Sequence, residues 1–208
     1  MAYAVQCARA MMTPVAAPKL ATYEDLLAFS DPEDKRAELI HGEILERVGP
    51  SAQHNQVQIQ LGGWLVRRFS RAAGGRWPGG WWLGTECDMQ YETHEVFQHD
   101  LIGWRRERMP QQPVGRPQVL RPDWACEIIS PSTERRDFNE KMPVLHRAQV
   151  PHFWIVRPID KLLHVYRWTP DGYVMRVAAA VGDVVRAEPF DGVELRVAVI
   201  FGDEDDEE

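Results

Sequence analysis

Cysteine is scarce in this 208-residue sequence: Cys7, Cys87 and Cys126 are odd in number and widely spaced, with no CxxC pair. That excludes a disulfide framework and a cysteine-built zinc site, and it predicts a reducing, cytoplasmic setting. No apolar run approaches the roughly 20 residues that cross a bilayer. The opening MAYAVQCARAMM also lacks a basic segment followed by a long apolar one, so neither a membrane span nor a secretory leader is expected. No internal repeat is evident. An excess of positive charge is missing too: the formal charge is −7. Six of the acids lie in the run Asp203 to Glu208, however, and without them 25 acids face 24 bases. The body of the chain neither demands nor excludes a polyanionic partner.

What the chain does have is core-forming material, 44% hydrophobic residues, enough for one substantial domain. Residues 1–20 read as a flexible N-terminal arm, 21–201 as the domain, and 202–208 as a disordered acidic tail. In TYEDLLAF, Thr22 and Asp25 have capping-box spacing ahead of a short helix. ELIHGEILERV sets two apolar pairs around His41-Gly42, as a tight β-hairpin requires, with Glu38 and Glu43 flanking the turn. From His54 to Ala73, the spacing of Val57, Leu61, Trp64, Leu65 and Phe69 predicts an amphipathic helix packed on a sheet. Its polar side carries Arg67, Arg68 and Arg71, candidate phosphate contacts. A strand near Trp81 to Tyr91 comes next, in which Trp81 and Trp82 are candidates to stack on bases.

VFQHDLIGW (residues 96–104) reads as a strand with an embedded carboxylate, Asp100, before a proline-rich basic loop. The stretch RPDWACEIISPSTERRDFNEK then sets Glu127 inside an apolar strand, ended by Ser130-Pro131-Ser132; a helix is expected near Lys141 to Gln149. HFWIV, LLHVYRW, YVMRV and VELRVAVIF read as further strands. The class is α/β or α+β, a mixed sheet flanked by helices in a single domain.

The embedded carboxylates carry the chemistry. At about 3.3 Å per residue, Asp123 and Glu127 share a strand face but stand about 13 Å apart, too far to grip one metal ion. Asp100 lies on another strand, and neighbouring strands are only about 4.8 Å apart. If the two strands pair, Asp100 and Glu127 can converge on one divalent cation, which removes their mutual repulsion. A hard cation held by carboxylates, with a lysine beside it such as Lys141, is what phosphodiester hydrolysis needs.

These blocks, ELIHGEILERVGPSAQH, VFQHDLIGW, RPDWACEIISPSTERRDFNEK and VPHFWIVRP, resemble the bacterial Uma-type endonuclease family of the PD-(D/E)XK restriction-endonuclease-like superfamily over roughly residues 20–200. The resemblance implies a restriction-endonuclease-like fold and a nuclease that uses Mg²⁺ or Mn²⁺. It gives Asp100 and Glu127 as metal ligands and Lys141 as the third catalytic residue, displaced onto the helix because Ile129 stands at the usual lysine position. Glu38 and Glu43 match the family's paired acids and His54 a family histidine, all three in auxiliary roles. His99 replaces the proline of the PD element, and Pro143 suggests a helix starting near Lys141.

The expected partner is DNA, contacted by Arg67, Arg71, Arg135 and Arg136, with a homodimer suited to cutting both strands. Two other readings stay open: a catalytically inactive nucleic-acid-binding or regulatory module on the same fold, and a protein-interaction scaffold using the Trp-rich surface.

Overall fold

The computed structural model describes residues 19–30 and 36–206. Residues 1–18 of the expected N-terminal arm, and Glu207 and Glu208 of the acidic run, lie outside the described residues. Helix α1 (Tyr23–Phe29) opens on the expected capping box: the Asp25 carboxylate accepts from the Thr22 N–H at 2.9 Å, and the Thr22 hydroxyl accepts from the Asp25 N–H at 3.5 Å. Strands β1 (Ala37–Ile40) and β2 (Glu43–Glu46) form the expected hairpin. His41 and Gly42 turn it with positive φ of 53° and 78°, the two-residue geometry whose twist matches the strands.

The amphipathic helix is α2 (Ala52–Phe69), and its apolar stripe is buried as the spacing requires. The next two regions each split. The strand expected near Trp81 to Tyr91 is β3 (Trp81–Gly84) and β4 (Cys87–Glu92), and the strand expected over residues 96–104 is β5 (Glu95–His99) and β6 (Leu101–Arg105). These four strands are one bent ribbon, because Gly84 opposite Ile102 and Cys87 opposite His99 belong to a single register. At the bend the ribbon passes from a six-stranded sheet, ordered β10-β9-β8-β7-β6-β3, to a four-stranded one, ordered β2-β1-β5-β4. Asp100 is the residue at the bend rather than a member of a strand.

Strand β7 (Trp124–Ile128) pairs antiparallel with β6 and parallel with β8 (His152–Arg157), so the large sheet is mixed. Alternation along β7 sorts its side chains. Trp124, Cys126 and Ile128 pack in the core that contains α2, whereas Ala125 and Ile129 pack in a second core on the opposite face. Glu127 shares the parity of that second face. The parallel pairing requires a crossover, and the crossover supplies a helical run earlier than expected. It begins as α3 (Glu134–Arg136), widens into a π-helical segment (Asp137–Lys141) and ends as α4 (Met142–Arg147). Lys141 therefore closes the wide turn instead of starting a helix, and Pro143, which has no N–H to donate, falls in the first turn of α4.

Strands β9 (Leu162–Thr169) and β10 (Gly172–Ala180) complete the large sheet, and β11 (Val184–Val185) pairs with β12 (Leu195–Arg196). The long strand expected from VELRVAVIF is corrected: after β12 the chain turns into helix α5 (Val197–Phe201), wholly buried, packed on α2 and closed by Gly202 at φ 72°. Burial on every side overrides the β-propensity of this valine-rich run. The acidic run, expected to be a disordered tail, is described as far as Asp206. There Asp203 pairs with Lys161 at 2.6 Å and Asp206 with Arg68 at 2.5 Å. Among the described residues no helix is long and apolar enough to cross a membrane.

The larger core centres on Phe190, whose ring lies 4.7 Å from Phe69, 4.9 Å from Trp81, 5.0 Å from Trp124 and 5.6 Å from Trp154. Phe190 thus joins α2 to strands β3, β7 and β8. Phe190→Ala should cost about 3–5 kcal/mol through the cavity it leaves, read as a lower urea midpoint in tryptophan fluorescence; a loss under about 1 kcal/mol would show that these rings do not depend on it.

Candidate active site

The register Leu101 opposite Cys126 places Asp100 and Glu127 in the next opposed position, one step beyond the β6–β7 ladder. Both line one cavity of about 260 Å³. The bend at Asp100 turns its carboxylate back over β7, where Oδ2 accepts the Ile128 N–H at 2.7 Å and meets His54 Nε2 at 3.0 Å. His54 lies there because it continues the buried stripe of α2 by one turn, three residues before Val57 and seven before Leu61. Asp100 Oδ1 has a long contact, 3.5 Å, to the Arg47 guanidinium.

From the other face Lys141 reaches in. Its ammonium stands 3.0 Å from Glu38 Oε1, 3.4 Å from Glu127 Oε1 and 3.4 Å from Asp137 Oδ1, and donates to the Gln98 carbonyl at 3.3 Å. All four charged groups are buried. Ile129 occupies apolar core, so the crossover helix brings a cation to the face where a lysine two residues after Glu127 would have stood. Glu38 further accepts the Gln98 N–H at 3.1 Å and lies 3.7 Å from Arg47.

Burial and charge set the protonation states. Burial alone would strip the proton from Lys141, but Glu127, Glu38 and Asp137 surround it and hold its pKa above the ordinary lysine value, so it stays an ammonium. Burial, reinforced by the charges of Asp137, Asp100 and Glu38, pushes Glu127 well above the usual carboxylate range, against the pull of Lys141. Asp137 is likewise raised, chiefly by burial. Asp100 goes the other way: burial opposes ionisation, yet the hydrogen bond and charge of His54, with the Ile128 N–H and Arg47, bring its pKa below the ordinary value. The two carboxylates are thereby driven apart, one firmly ionised and one reluctant.

Of the residues singled out in the sequence, Asp100, Glu127, Lys141, Glu38, His54 and Arg136 line this cavity, with Arg136 3.8 Å from Glu38. Glu43 does not: it is exposed on β2 opposite Ile40, on the Glu38 face but two strand positions nearer the hairpin turn, at about 3.3 Å per position. Arg67 is exposed at the far end of α2, about 20 Å along the helix axis from His54 at 1.5 Å per residue, and Arg71 is exposed just beyond the end of that helix. Arg67 lies 3.6 Å from Asp206. Arg135 is exposed on α3. Asp123 is occupied by Arg108 at 2.9 Å. Trp81 is core, and Trp82 donates its indole N–H to the Met109 carbonyl under the Arg106 guanidinium, so neither offers an open stacking face.

Three participants were missed. Arg47 touches Glu38, Asp100 and Glu86; Asp137 joins the Lys141 cluster; His99 donates to or accepts from Glu127 at 2.8 Å. The i,i+4 spacing of Asp137 and Lys141 was a signal in plain view. Arg47 and His99 gave none, since only the hairpin and the ribbon bend carry them inward.

Among the described residues no three His, Cys, Asp or Glu side chains form an enclosing metal cage. Asp100 and Glu127 instead offer two hard oxygen donors at one cavity. That fits Mg²⁺ or Mn²⁺ better than zinc or calcium, because Mg²⁺ keeps several waters and uses one or two carboxylates together with substrate phosphate.

Comparison with known proteins agrees with this architecture. The family model Uma2, "Putative restriction endonuclease", matches residues 20–198. No curated protein matches the chain. A crystal structure of "a putative nuclease belonging to DUF820" from Anabaena variabilis is similar in fold, with a TM-score of 0.69 at 16% identity over 87% of this chain and 97% of that one.

The His54–Asp100 contact can be tested by titration. Although burial disfavours the imidazolium, the Asp100 carboxylate raises the His54 pKa above its ordinary value. A raised pKa stabilises the fold below the unfolded value, about 6.5, and that contribution disappears as pH rises through the folded value. Asp100, being lowered, contributes above its ordinary value and loses that contribution as pH falls through its folded one. NMR titration of His54 should give a pKa above about 6.5, and Asp100→Asn should move it down; an unchanged midpoint in that variant would refute the pairing.

Proposed function

The chain belongs to the Uma2 family, "Putative restriction endonuclease", and on that premise we propose that it is a divalent-metal-dependent endonuclease that hydrolyses DNA phosphodiester bonds. The observation that carries this reading is the opposition of Asp100 and Glu127 across the β6–β7 ladder, both lining one cavity, with the Lys141 ammonium 3.4 Å from Glu127. In this proposal Asp100 and Glu127 hold Mg²⁺ or Mn²⁺. The ion, when bound, supplies Lewis-acid polarisation of the phosphoryl group and makes water a better nucleophile.

The chain's own residues do the rest. Lys141, kept protonated by three acids, has no lone pair with which to take a proton; it acts as a fixed donor that orients the attacking water and offsets phosphate charge. Glu38 holds that ammonium in place from the opposite side. Arg47 and Arg136, both lining the cavity, give it cationic groups that complement a phosphodiester backbone. His54 keeps Asp100 ionised, which metal binding requires.

The two-donor arrangement, with no enclosing three-donor cage among the described residues, favours one second reading, a DNA-binding module that does not cut. Supercoiled plasmid separates the two. The proposal expects nicking with Mg²⁺ or Mn²⁺, arrest by chelator, and a fall of about 10²- to 10³-fold in Asp100→Asn and Glu127→Gln. Binding that weakens with salt and needs no metal, with intact plasmid throughout, would leave only the second reading.

A further inference from the structure

His99 stands where the PD element would carry proline, and nothing in the nuclease reading uses it. Its ring is completely buried at the end of β5, packed edge-on against Phe97 at 5.4 Å and Tyr91 at 5.8 Å. Both ring nitrogens are engaged: Nδ1 lies 2.8 Å from Glu127 Oε1 and Nε2 lies 2.7 Å from the Tyr91 hydroxyl.

A neutral imidazole has one donor and one acceptor, so the two contacts are linked. If Nε2 carried the proton, it would donate to the Tyr91 oxygen and the buried phenol hydrogen would need another acceptor. Among the described residues His99 is the hydrogen-bond partner shown for that hydroxyl. If Tyr91 donates instead, Nε2 accepts, Nδ1 carries the proton, and it points at a Glu127 oxygen that already faces the Lys141 ammonium. Every group is then satisfied.

We infer that Tyr91 and His99 form a positioning relay for Glu127: Tyr91 fixes the Nδ1–H tautomer of His99, and His99 with Lys141 clamps Oε1, setting the rotation of the carboxylate so that Oε2 is presented to a ligand in the cavity. The part concerning metal rests on the nuclease reading; the tautomer does not.

The test uses the full chain without DNA. In the wild-type protein the imidazole ¹⁵N shifts of His99 should show a protonated Nδ1 and a bare Nε2; the reverse tautomer, or an imidazolium, overturns the relay whether or not metal binds. Mn²⁺ affinity, measured by calorimetry and electron paramagnetic resonance, should weaken about 10- to 100-fold in His99→Ala, as for residues that orient a ligand. His99→Asn, whose side-chain amide nitrogen occupies the Nδ1 position, should recover part of that loss. Tyr91→Phe removes one hydroxyl from a ring that otherwise stays packed, and should mix the two tautomers and weaken Mn²⁺ several-fold. Wild-type affinity in His99→Ala, or an unmixed tautomer in Tyr91→Phe, overturns the inference. A wild-type protein that takes up no Mn²⁺ refutes the nuclease reading instead, and the ¹⁵N shifts then decide the relay alone.

Discussion

One buried ammonium organises this molecule. Lys141 meets Glu38 from the four-stranded sheet, Glu127 from the six-stranded sheet and Asp137 from its own helical run, all within 3.4 Å. Burying three acids is costly, and their attraction to this ammonium, with Arg47 and Arg136 beside Glu38, offsets this only in a tight, hydrogen-bonded arrangement. The elements that supply these groups are therefore bound to one another as firmly by charge as by apolar packing. The cluster is a poor device for stability, since an apolar replacement could serve as well. Perturbed acids of this kind are concentrated at reactive sites.

The second constraint is the bent ribbon. Strands β3 to β6 keep one register through the bend, so the chain changes sheets without losing alignment. The residue at the corner is freed from the ladder, and its carboxylate can fold back on Ile128 and meet His54. A strand residue at that position would have pointed along the pleat. Asp100 and Glu127 thus differ in origin: one leaves its sheet at a corner, the other stands upright on a strand between two cores. That difference in surroundings is why one is held ionised and the other resists ionisation.

Where periodicity is long or turn chemistry is specific, the structure was legible in the sequence. The stripe from Val57 to Phe69 read as a helix because five apolar positions repeat at its period, and His41-Gly42 read as a turn because glycine tolerates positive φ. VELRVAVIF misled because valine-rich runs favour strands locally, whereas α5 is set by burial against α2. The break at Asp100 was hidden because VFQHDLIGW alternates acceptably as one strand; only pairing with two different sheets divides it. In the site, spacing and strand geometry singled out Asp100 and Glu127 as carboxylates in strands, and the resemblance supplied their roles and that of Lys141. Glu43 was included by that same route; it shares a face with Glu38 but stands nearer the hairpin turn and outside the cavity. Arg47 and His99 depend on tertiary placement and no local pattern announces them.

The parallel pairing of β7 with β8 has one more implication. The return leg between them carries Lys141, fourteen residues beyond Glu127, and each residue added to or removed from a helix rotates the rest of that helix by about 100°. The wide π turn is one such extra residue, accommodated within the run. That leg works as a ruler: an insertion or deletion between Ser130 and Lys141 would swing the ammonium out of register and take it away from three buried acids.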